Sequence, residues 1–123
     1  MPDQQSRREM IREYKRTPLE MGVYRIHNTV NDKSFVASSR DIRSRLNRHK
    51  MQLRFGSEEN RQLLADWKEF GESAFVFETL EALEPLDDPG YNPNEDLKVL
   101  LDLWIEKLTP WGEKGYNKAP SGE

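Results

Sequence analysis

Cysteine is absent from all 123 residues, which excludes both a disulfide framework and a thiolate zinc site and is compatible with a reducing compartment. No apolar run approaches the ~20 residues of a membrane-spanning helix. The opening stretch MPDQQSRREM also lacks the apolar segment of a secretory signal. The expectation is a cytoplasmic protein. Internal repeats and low-complexity tracts are missing too, so neither a solenoid nor a biased linker is indicated.

What is present is polar but not disordered. Hydrophobic residues make up 35% and charged residues 33%, with three Trp, five Phe and four Tyr to build a core. A chain of this length fits one domain that buries roughly two-thirds of its unfolded surface. The formal net charge of -3 hides an asymmetry. Up to Gly56 there are 13 Lys/Arg against 6 Asp/Glu, and after it 6 against 16. A basic first half suits a polyanionic partner such as nucleic acid. The acidic half is expected to face away from it, free to meet a protein partner, although both halves also read as ordinary solvated surface.

Residues 6–16 place Met10, Ile11 and Tyr14 at helical spacing, and Pro18 bars continuation, so a short amphipathic helix is predicted as an N-terminal addition. GVYRIHN at 22–28 and SFVAS at 34–38, joined through Asn31, Asp32 and Lys33, read as a hairpin. Asp41 is placed to cap a helix running to Phe55, with Ile42, Leu46, His49 and Leu53 on one stripe and Gly56 at its end. Ser57 is expected to cap the next helix, which buries Leu63, Leu64, Trp67 and Phe70 and closes at Gly71. Residues 75–80 alternate as a third strand, 84–94 form a Pro-rich loop, and 95–108 are a last helix with Leu97, Leu100, Leu101, Trp104 and Leu108 on one stripe. The order β-β-α-α-β-α predicts an α+β fold, a small three-stranded antiparallel sheet flanked by helices. The organisation is an extension over 1–19, the domain over 20–118 and a tail over 119–123.

GVY at 22–24, FVA at 35–37 and the basic helix RDIRSRLNRH resemble the GIY-YIG nuclease family, and the later segments LLADWKEFGESAFVFETLE, LDLWIEKLTPWG and GYN follow in that family's order. The resemblance implies that a tyrosine, a helix arginine and a glutamate surround the scissile phosphate, the glutamate holding one Mg2+ or Mn2+. Tyr24 matches the tyrosine, whose role of helping to deprotonate water needs a cation nearby, since a phenol ordinarily titrates near ~10. As residues alone, Tyr24 is equally a half-buried strand aromatic. Arg45 matches the arginine, a planar fork suited to phosphate oxygens. His49 lies one turn on and matches a histidine that donates to the phosphate or shuttles a proton; a satisfied histidine at the core's edge is the other reading. Asn117 matches a final asparagine that orients the site, or else caps a turn beside Gly115. Arg40, Arg43, Arg48, Lys50 and Arg54 surround these positions and are the expected nucleic-acid contacts, DNA foremost.

Three positions depart from the family pattern. Counting back three residues from Trp104 to the expected glutamate reaches Leu101, which cannot ligate a hard cation. Asp102 is adjacent but turned ~100° around the helix; Glu95, Asp96 and Glu78 are weaker substitutes. Phe35 replaces a tyrosine and loses its hydroxyl, and Ala37 replaces a glycine. A nucleic-acid-binding domain with a degenerate metal site is the expectation. A divalent-metal endonuclease using another carboxylate and a protein-interaction domain without catalysis are the alternatives.

Overall fold

The computed structural model describes residues 20–84, 86 and 88–119. The helix expected over 6–16 and the tail after 119 lie outside them. The order of elements is β1 (Gly22–Asn28), β2 (Ser34–Ser39), α1 (Ile42–Phe55), α2 (Arg61–Phe70), a 3-10 turn (Glu72–Ala74), β3 (Phe75–Ala82), α3 (Asn94–Leu108) and a second 3-10 turn (Gly112–Lys114). Among these residues no helix is long and apolar enough to cross a membrane.

The β1–β2 turn is held by its own side chains. Asn28 Oδ1 accepts from the Val30 amide and Asn31 Oδ1 from the Lys33 amide, while Asp32 takes the left-handed conformation at φ 64° that Asx residues tolerate. Strand order is β2-β1-β3, antiparallel throughout, so β1 is central. Its alternation sends Tyr24, Ile26 and Asn28 to one face and Val23, Arg25 and His27 to the other. On the first face, Ile26 joins Leu53 of α1, Leu63 and Trp67 of α2, Phe75 of β3 and Tyr116 in the main core. On the second, the buried Val23 and Val36 lie beneath α3, which packs on β1 and β2.

The sheet needs a glycine at one point. A bulge between Val23 and Tyr24 shifts the β1–β3 register, and a Cβ on Gly22, at φ 150°, would sit 2.0 Å from the Glu81 carbonyl oxygen. The exposed edge of β2 is closed by the C-terminal segment: Gly115 bridges Ser34, and the Tyr116 amide donates to the Ser34 carbonyl at 2.9 Å.

Asp41 caps α1 as expected, accepting from the Ser44 amide at 3.2 Å. Ser57, however, does not cap α2. Its amide donates to the Gln52 carbonyl, completing the Schellman turn around Gly56 at φ 77°, so residues 56 and 57 belong to the end of α1. Asn60 caps α2 instead, accepting from the Leu63 amide.

Candidate active site

Three side chains, from β1, α1 and the connection that follows α1, meet on the α1 face of the sheet. The Tyr24 hydroxyl, at the centre of β1, lies 2.9 Å from His49 Nε2 on α1. His49 Nδ1 is 2.7 Å from Glu58 Oε1, in the connection between α1 and α2. The group is closed in: Tyr24 is 1% exposed, His49 7% and Glu58 7%. Phe35 of β2 sets its ring edge-on to His49 at 5.3 Å and tilts against Tyr24 at 6.4 Å. With Glu58 accepting at Nδ1, a neutral imidazole turns its Nε2 lone pair to the phenol and Tyr24 donates, whereas an imidazolium donates to both partners.

Burial raises the Tyr24 pKa above its ordinary value, the nearby Arg45 guanidinium pulls it down by hydrogen bonding and charge, and Glu58 pushes it up. Burial prevails, so the Tyr24 pKa lies above the ordinary phenol value, a shift that opposes the role of a general base. Arg45 is exposed and, with Arg48, His49, Gln52, Glu58 and Glu59, lines a shallow pocket over the buried group.

The basic run divides at tertiary level. At ~100° per residue, Arg45 and Arg48 lie on one flank of the buried Ile42–Leu53 stripe, while Arg43, Lys50 and Arg54 lie on the other. On that far flank Lys50 Nζ sits 4.9 Å above the Phe77 ring and Arg54 makes a two-point pair with Glu72 at 2.9 and 2.7 Å. Arg40 bonds the side chains of Asn92 and Asn94, fastening the start of α1 to the start of α3. Asn117 bonds to the backbone of β2. Its amide clamps the Val36 backbone, donating to the carbonyl at 2.7 Å and accepting from the amide at 2.8 Å, so it holds the strand that carries Phe35.

No family profile and no curated relative matches the chain. Two solved structures do. One, the catalytic domain of the intron endonuclease I-TevI with a glutamate-to-alanine substitution, is 26% identical at a TM-score of 0.67, covering 85% of this chain and 98% of that one. The other, the catalytic domain of the homing endonuclease I-TevI, is 27% identical at 0.65, covering 81% and 99%. I-TevI is a GIY-YIG nuclease. The chain is a GIY-YIG-like domain.

In this GIY-YIG-like domain the residues at the expected metal position do not suit a cation. Leu101 lines an open cleft with Ser38, Ser39, Asn94 and Leu97, and the charged side chains there, Arg40 and Lys98, are both positive. No cluster of three or more His, Asp or Glu able to hold an ion occurs among the described residues. Asp102 points outward, fully on the exposed side of α3. Glu78 is paired with Arg25 at 2.8 Å and Asp96 accepts from the Tyr91 hydroxyl at 2.8 Å, while Glu95 is exposed.

Sequence reasoning missed Glu58. It follows the end of a helix, so no periodicity marks it, and only the turn around Gly56 folds it back beneath His49. A second missed network joins the buried Asn28 and Tyr116: Asn28 Nδ2 donates to the Tyr116 hydroxyl at 3.0 Å, and that hydroxyl donates to Asp66 at 2.6 Å. These residues are 88 and 50 positions apart in the chain, beyond the reach of any local pattern.

Proposed function

We propose that this GIY-YIG-like domain binds nucleic-acid phosphodiesters, DNA foremost, through Arg45 and Arg48, and has lost metal-dependent cleavage of the family type. The observation that carries this reading is the pairing of exposed arginines over the intact Tyr24–His49 contact with a cationic cleft at Leu101. Guanidinium groups remain where phosphate oxygens would be held. The carboxylate that would neutralise charge through Mg2+ or Mn2+ does not.

Binding of a labelled duplex should weaken with salt, and each of Arg45→Ala and Arg48→Ala should reduce the slope of log K against log salt by about one. Affinity indifferent to salt, or no affinity at low salt, would refute the reading and favour a protein-interaction domain. A nicking assay in Mg2+ and Mn2+ compares wild type with Leu101→Glu. Cleavage by the folded wild type overturns the loss of activity and means that another carboxylate serves. Cleavage by the variant alone means that the missing ligand was the remaining defect.

A further inference from the structure

The outward side of α1 leaves Phe55 77% exposed and Met51 55% exposed, beside a site otherwise lined by polar groups. At ~100° per residue, Phe55 lies seven positions beyond Arg48, and Gln52 seven beyond Arg45, so Arg45, Arg48, Gln52 and Phe55 run along one stripe. The lysine and arginine of the opposite flank, Lys50 and Arg54, are engaged with Phe77 and Glu72 and do not contribute to it. At a rise of ~1.5 Å per residue the stripe from Arg45 to Phe55 is about 15 Å long. A stacked strand advances ~3.4 Å per nucleotide, which puts about four nucleotides along it.

We infer that the domain takes single-stranded or locally unpaired nucleic acid, with one unpaired base stacked on Phe55 and the phosphates a few nucleotides away held by Arg48 and Arg45. The inference rests on the phosphate-binding reading above and adds the class of substrate. A duplex closes its bases within the stack and offers no free face to the ring, whereas an unpaired base does. One phenyl ring and one thioether are also too small for a protein partner, which needs ~800 Å2 on each side, but suffice for a base.

The test is fluorescence anisotropy of the full chain with a labelled thymidine oligonucleotide of about 16 residues and a blunt duplex of equal length at low salt. Phe55→Ala should lose about five-fold or more in affinity for the single strand and nothing for the duplex, and Phe55→Tyr should restore it. Equal effects of Phe55→Ala on both substrates, or none on either, while Arg48→Ala weakens both, overturn this inference and leave phosphate binding standing. If Arg45→Ala and Arg48→Ala change neither affinity, the underlying reading fails with it. A Phe55→Ala change that alters self-association but not oligonucleotide affinity makes the ring a protein contact and also overturns the inference. Phe55 is a surface residue, so the variants retain the core.

Discussion

Replacing Glu58 by alanine tests the buried chain directly. Its carboxylate accepts from His49 at 2.7 Å and from the Asn60 amide at 3.2 Å, and the side chains of Glu58 and His49 are both buried. A hydrogen bond to a charged group contributes about 1.5–3 kcal/mol, and a buried donor left without a partner costs a further ~1–3. The vacated space adjoins a pocket that water can enter, which favours the lower half of each range. Glu58→Ala should therefore lose about 3 kcal/mol, or roughly 10 °C in Tm for a domain of this size. Glu58→Gln, which keeps an acceptor without its charge, should lose about 1 kcal/mol. Urea unfolding at constant m measures each loss, and a cycle with His49→Ala isolates the pair. The coupling should be about 2 kcal/mol. Losses that simply add, within ~0.5 kcal/mol, would refute a Glu58–His49 bond as the support of the site.

Asn117→Ala should cost about 2 kcal/mol by removing two bonds to the Val36 backbone, and hydrogen exchange at the Val36 amide should quicken by at least ten-fold. Gly22→Ala should cost at least ~3 kcal/mol, because its Cβ would lie 2.0 Å from the Glu81 carbonyl; a neutral result in chemical denaturation would mean that the bulge yields. The Tyr24 pKa is raised in the folded state by burial, so its stabilising contribution is present below the ordinary pKa near ~10 and is lost as pH rises through the folded value. Tyr116, raised by burial and by its bond to Asp66, acts in the same direction. Unfolding midpoints should fall above pH ~10, and ultraviolet titration should show Tyr24 ionising earlier in Glu58→Gln and later in Arg45→Ala.

Much of the architecture was legible in local pattern. Two strand-like runs around the Asn31–Lys33 turn marked β1 and β2, period-two alternation marked β3, helical stripes marked α1, α2 and α3, and Asp41 and Gly56 bounded α1 where their chemistry requires. Ser57 misled because a serine before an apolar run has the signature of a cap, whereas its amide was already committed to the preceding helix. The basic run around α1 looked like one surface for a similar reason: proximity in sequence does not say which flank of a helix a side chain occupies or which acid waits there. Glu72 and Phe77, brought in by the β3 side of the fold, decided that for Arg54 and Lys50.

Sequence by itself determined the fold class, the order of its elements and the identity of the residues at Tyr24, Arg45, His49 and Leu101, because these follow from periodicity, turn chemistry and residue type. Only the tertiary structure decided what those residues do to one another. It set Glu58 beneath His49, raised the Tyr24 pKa by burial, put cations rather than carboxylates around Leu101 and left Phe55 in water. Each of those outcomes depends on distance and solvent exclusion between elements remote in the chain, quantities that no local spacing encodes.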